Sequence, residues 1–309
     1  MHTPQSTIAE QILQQLSRCL ALEIVQVQAE YGESSLSRSL FKVSVLDAGQ
    51  NEYTFVLKRQ QDDGGYRFYQ QYLRPYRLDS PQVYGCIELD GQCFWVMEYI
   101  PHLPPDWNAS PGYLKAVQWL IQKDRITLQN LNAIRKLDCL GTMEFYGVAY
   151  WLAIFEKWHK DSTANQQAQV VWARVNANQN RINDCIAELN QTGLQTVVHG
   201  DLHMSNILFR QDNNELFVID WTQPHISSVT KDLASLYDNA PLNVKSELIK
   251  MYRTQIDFHN FEETFAKAKI LRDVGYLSWM AEMINEGQGA EIAQTELDRV
   301  AKSLLLALE

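Results

Sequence analysis

Residues 197–209 read VVHGDLHMSNILF, and residues 217–221 read FVIDW. The apolar runs are short and β-like, and each meets an oxygen-bearing side chain. Asp201 lies in a tight turn after the first run, Asn206 follows five residues later, and Asp220 closes the last run. The runs ILF and LFVID are joined by QDNNE, a turn-rich hairpin loop. Asn206 and Asp220 therefore flank a hairpin and can point at one spot. A pair of hard oxygen ligands suits Mg2+, which completes its shell with phosphate oxygens and water. Asp201 is a candidate to accept a proton from a substrate hydroxyl. A nearby cation keeps such a carboxylate ionised.

Working back toward the N-terminus, residues 23–30, 39–46 and 52–58 read as strands separated by polar turns, an antiparallel meander. Residues 6–22 carry Ile8, Ile12, Leu13, Leu16 and Leu20 at helical spacing. Residues 66–74 read as a short helix, and 82–88 and 93–99 as two more strands around an Asp90-Gly91 turn. Prolines 101, 104, 105 and 111 then break regular structure and mark a boundary. Beyond them, helices are expected over 112–122, 127–138, 143–160, 167–191, 229–238, 242–256, 260–285 and 291–308. The expected class is α+β: a small antiparallel β-rich N-terminal lobe over 1–98 and a larger, mainly helical C-terminal lobe over 99–309.

The chain has 309 residues and a formal charge of −10, which disfavours a general nucleic-acid binder. A nucleotide needs only a few local cations and backbone N–H groups. The five cysteines form no C-x-x-C pair and are expected as free thiols in a reducing compartment. The opening MHTPQSTIAEQ has no signal-peptide pattern, and no apolar run reaches membrane-spanning length. The expectation is a cytoplasmic protein with no membrane or nucleic-acid partner.

HGDLHMSNIL, followed by IDW and by KDLASLY at 231–237, resembles the aminoglycoside phosphotransferase and choline kinase-like family. The core spacing H-x-D-x-x-x-x-N alone arises by chance in about one chain in a hundred of this length. The flanking residues and the later IDW make chance a poor explanation. The resemblance implies a bilobal protein-kinase-like fold and transfer of the γ-phosphate of ATP to a hydroxyl of a small molecule. It implies Asp201 as catalytic base and Asn206 and Asp220 as magnesium ligands. Lys58, ending the strand FVLK, resembles the lysine that contacts the α- and β-phosphates. The turn YGESSLSR at 31–38, with Ser34 and Ser35, resembles the nucleotide-covering turn. Met97, Glu98 and Tyr99 resemble the hinge whose backbone meets adenine.

Each residue also has a plainer reading. Asp and Asn favour turns for local reasons, and a strand-end lysine is commonly just solvated. His199 reads as a packed residue that orients the loop, and His203 as packed or facing substrate or metal. Zinc is disfavoured, since no Cys or further His pattern accompanies them. Asp232 reads as a helix cap or a pin for the loop. The aromatics of MEFYGVAYWLAIFEKWH (143–159) read as core.

The sequence departs from the family pattern in one place that bears on function. Relatives pair the N-terminal-lobe lysine with a helix Glu, whereas YRFYQQYL offers Gln71, with Asp62 or Asp63 as substitutes. That departure keeps a second reading open, a catalytically degenerate kinase fold acting as a binding or structural module. Protein kinase activity is disfavoured by the absence of D-F-G and A-P-E. The excess of acidic residues tilts the small-molecule substrate toward a cation.

Overall fold

In the computed structural model, residues 5–31, 40–60, 64–89, 91–102, 110–140, 147–161, 166–191, 193–221, 224–287 and 294–309 are described. The chain divides into two compact units. One comprises Met1–Pro105 with Ser205–Asp220, the other Asp106–Met204 with Trp221–Glu309. The sequence puts its boundary at residue 98; by contacts, the first unit also takes in the hairpin after Asn206.

The first unit is built on a five-stranded antiparallel sheet of order β1-β2-β3-β5-β4. Its strands are β1 (Ile24–Tyr31), β2 (Leu40–Asp47), β3 (Glu52–Gln60), β4 (Val83–Leu89) and β5 (Gln92–Glu98). The first three strands run as a meander, but β5, not β4, pairs with β3. Period-2 alternation decides which side chains share a face. Val43, Val45, Phe55, Leu57, Phe94 and Val96 form one buried face. Helix α1 (Gln5–Leu20) covers it with Ile12 and Leu16, one turn apart. Lys58 follows Leu57 and so emerges on the opposite face, where the register sets it beside Trp95.

On that face the chain forms α2 (Gly64–Phe68), which continues into a π-helical turn over Tyr69–Leu73. Gly65 is required there: a Cβ would stand 2.4 Å from the Trp95 ring. The β4–β5 hairpin corrects the cysteine expectation. Cys86 and Cys93 are joined by a disulfide. The short hairpin turn sets them diagonally on one face, a pairing that their separation along the chain does not advertise. Cys19, Cys139 and Cys185 take part in no disulfide among the described residues.

The second unit is mainly helical. Its helices are α3 (Ser110–Ile134), α4 (Val148–Asp161), α5 (Gln166–Ala177), α6 (Gln179–Gln191), α7 (Thr230–Asn239), α8 (Leu242–Gln255), α9 (Phe261–Asn285) and α10 (Gln294–Ala307). Among its described residues, Trp158, Tyr113, Tyr252, Lys123 and Phe155 are the largest fully buried side chains. Two helix boundaries differ from expectation. The polar stretch around Lys123 reads as a break in sequence, yet α3 runs through it because Lys123 and Asp124 are fully buried and paired. The expected helix 167–191 is divided at Asn178, whose side-chain amide donates to the Arg174 carbonyl.

Strand β6 (Gln195–Val198) pairs antiparallel with β9 (His225–Ser228). In the first unit, β7 (Ile207–Phe209) pairs with β8 (Leu216–Val218) as the expected hairpin. Among the described residues no helix is long and apolar enough to cross a membrane.

Candidate active site

In the second unit, β6 delivers the chain into a turn at His199 and Gly200. The backbone N–H groups of both donate to the Asp232 carboxylate, at 2.8 and 3.1 Å. Asp232 lies in the first turn of α7, where a negative charge also meets the positive end of the helix. Gly200 has φ +86°, which a side chain would resist. Burial opposes the Asp232 charge. The Lys123 charge, the neighbouring His199 ring and the two N–H donors outweigh it and hold the carboxyl below its usual range.

The His199 ring is buried and packs 4.7 Å from that of Trp221. Its Nδ1 accepts from the Asp201 N–H at 3.3 Å. The Asp201 carboxylate is 68% exposed, with His203 Nε2 3.4 Å from its Oδ2. A loop pinned at its backbone and open at its carboxylate can present a proton acceptor to a bound alcohol.

Near Asp201 the second unit also offers aromatic groups. Burial raises the Tyr276 hydroxyl, Glu296 adds to the effect, and the Asp201 charge reaches it as well. Tyr276 stacks on Trp279, with centroids 5.7 Å apart and planes 5° from parallel. Trp279 is exposed, and Tyr150 donates to Glu282 at 3.2 Å. Tyr150 thus departs from the expected aromatic core of its segment, whereas Trp151, Phe155 and Trp158 are buried in it.

The first unit holds the other motif residues. A 3-10 turn over Met204–Asn206 leads into β7. The Ile219 N–H donates to the Asn206 carbonyl at 2.9 Å, which sets Asn206 across the ladder one residue short of Asp220. Asp220 has φ +63°, a left-handed conformation that a non-glycine residue holds only when its surroundings require it. Its carboxylate forms an ion pair with the Lys58 ammonium. Gln71 is half-buried in the π-helical turn, so here the lysine has its carboxylate partner in Asp220 rather than on the helix.

Asn206 and Asp220 are the oxygen donors that would hold a divalent cation. Among the described residues no group of three or more His, Cys, Asp and Glu could hold a metal. An ion at this pair would have to draw most of its shell from phosphate oxygens and water, the habit of Mg2+ rather than of a caged metal. The donor set fits that ion.

The hinge candidates lie at the end of β5. The Glu98 carboxylate accepts from Arg210 at 2.8 Å and from the Gln82 N–H at 3.2 Å. The Glu98 N–H itself donates to the Gln82 carbonyl at 2.8 Å. Met97 pairs with Val56 and Val83, and Lys42 stands 5.0 Å over the Tyr99 ring. Ser34 and Ser35, and Asp62 and Asp63, lie outside the described residues.

Sequence reasoning missed Lys123 and Asp124, which lie behind the loop, and the Tyr276–Trp279 pair.

A model of the phosphotransferase enzyme family matches residues 45–266. A curated relative, EKC/KEOPS complex subunit bud32 of Dictyostelium discoideum, is 34% identical over 100 residues. The match covers 30% of this chain and 39% of that relative. Among solved structures, choline kinase LicA from Streptococcus pneumoniae superposes with a TM-score of 0.60 at 15% identity, covering 99% of both chains. The same enzyme in complex with AMP gives 0.56 at 17% identity, covering 99% of this chain and 100% of that one. An aminoglycoside phosphotransferase from Alicyclobacillus acidocaldarius gives 0.55 at 13% identity, covering 93% and 92%. These superpositions establish a protein-kinase-like fold.

Proposed function

The chain belongs to the phosphotransferase enzyme family, and from that premise we propose that it moves the γ-phosphate of ATP to a hydroxyl of a small molecule. The observation that carries this reading is the Lys58–Asp220 ion pair, between residues 162 positions apart in sequence. It sets a cation for phosphate beside a carboxylate for metal, with Asp220 in a left-handed conformation.

In this reading Asp201 accepts the proton of the acceptor hydroxyl as the oxygen attacks phosphorus. Lys58 neutralises charge on the α- and β-phosphates. Asn206 and Asp220 would hold magnesium, which when bound neutralises the β- and γ-phosphate oxygens. The backbone of Met97, Glu98 and Tyr99 meets adenine, and Ser34 and Ser35 cover the phosphates. The LicA complex with AMP supports nucleotide use by this fold. The missing helix Glu does not favour a degenerate module, since Lys58 has a carboxylate partner.

The acceptor is an amino alcohol, aminoglycoside, sugar or similar molecule, with a cationic one favoured. Tyr276, Trp279 and the Tyr150–Glu282 pair support that preference, since aromatic faces and a carboxylate both attract an ammonium group. Magnesium-dependent ATP turnover over a panel of hydroxylated amines, sugars and antibiotics tests the proposal. The Asp201→Ala variant is expected to lose at least roughly 10²-fold in turnover. Failure of the purified protein to bind ATP would overturn it.

A further inference from the structure

We propose that Lys123 is a positioning residue for phosphoryl transfer, holding the backbone of the Asp201 loop from behind through Val197 and Asp232. The inference deepens the phosphotransferase reading and rests on it.

Lys123 lies in the middle of α3 and its side chain is fully buried. A lysine in that setting is rare and needs a full set of partners. It has three donor hydrogens, and the described residues bring three acceptors to it. They are the Val197 carbonyl at 2.5 Å, Asp124 Oδ1 at 2.9 Å and Asp232 Oδ2 at 3.2 Å. Two of the three lead to the loop. Val197 lies on β6, two residues before His199. Asp232 also accepts from the His199 and Gly200 N–H groups. The ammonium therefore grips the strand entering the turn and also neutralises the carboxylate that holds the turn.

Asp124, the next residue, completes the grip from the same helix. Its Oδ1 accepts from the Thr196 hydroxyl at 2.8 Å and its Oδ2 from the Tyr252 hydroxyl at 2.5 Å. Adjacent residues of β6 are thus each fastened to adjacent residues of α3. Without the ammonium, the Val197 carbonyl loses a partner and Asp232 carries an unneutralised buried charge. The carboxylate can then relax away from the two N–H groups, and Asp201 loses its fixed place one residue beyond them.

A purely structural lysine would change stability alone. The test therefore separates folding from function with Lys123→Met and the milder Lys123→Gln, which keeps two donors and loses the charge. Three measurements are made below the unfolding midpoint of each variant: kcat, KM for ATP, and amide hydrogen exchange at His199 and Gly200. The expected result is a loss of at least tenfold in kcat with KM for ATP within about threefold. Exchange at the two amides should be at least tenfold faster, with the amides of α9 unchanged. Should Lys123→Met not fold, Lys123→Gln carries the test with the same signs. Wild-type kcat in a folded variant would overturn the proposal, as would unchanged exchange at both amides. If the wild-type protein transfers no phosphate yet the variants still loosen the two amides, the phosphotransferase reading fails and the grip on the loop stands.

Discussion

Lys58 illustrates how a residue acquires a role from its register. One position earlier, at Leu57, the side chain would enter the core under α1; at 58 it meets Asp220. Lys58→Met should raise KM for ATP by roughly tenfold to a hundredfold, the worth of one charge-assisted hydrogen bond, as steady-state kinetics can show. Lys231 carries a prediction about stability. Burial pushes its amine down to about 7, against the pull of Asp232, and its Nζ lies 2.8 Å from His225 Nε2. An unfolded lysine titrates near 10.4. Between those values the unfolded chain binds a proton that the folded chain does not, so stability rises with pH. Urea unfolding from pH 7.5 to 9.5 should show this slope, and Lys231→Met should flatten it. At this scale the sequence marked Asp201, Asn206, Asp220 and Lys58 as candidates, because the proposed chemistry demands particular residue types at a fixed spacing. Lys123 was not, because a buried cation looks like any other lysine until its acceptors arrive from β6 and α7.

Elements were legible where one face meets one partner. The period of α1 announced Ile12 and Leu16, and both are buried in the sheet core. Leu16→Ala should destabilise the fold by about 2–5 kcal/mol, the range for emptying a leucine site, and leave KM for ATP unchanged. Thermal unfolding together with kinetics would check both halves. The β7–β8 hairpin was legible from its turn residues. The β3–β5 pairing was not, because strand order depends on which edge the β4–β5 hairpin presents, and local patterning carries no trace of that. The Cys86–Cys93 disulfide was hidden because it depends on the register of the β4–β5 hairpin, which sets the two cysteines diagonally on one face. The α3 and α5–α6 boundaries were misread because polar residues inside helices here pair internally, at Lys123 and Asp124, or cap a break, at Asn178.

At the scale of the whole molecule, composition bounded the chain to an ordinary globular protein with an acidic charge of −10. The family was readable from a few dozen residues around Asp201, and the match over residues 45–266 extends that reading across most of the chain. The acceptor was not readable, because no motif in the sequence fixes the groups that would recognise it; the proposed ones, Trp279 and Glu282, are brought forward only by the fold. The central claim is that Asp201 serves the chemical step and not the binding of nucleotide. Single-turnover transfer of labelled γ-phosphate to an acceptor, with Mg-ATP affinity measured alongside, tests it in wild type and Asp201→Asn. The variant should bind Mg-ATP within about twofold of wild type and transfer phosphate at least roughly 10²-fold more slowly. Transfer by Asp201→Asn at the wild-type rate would contradict the account.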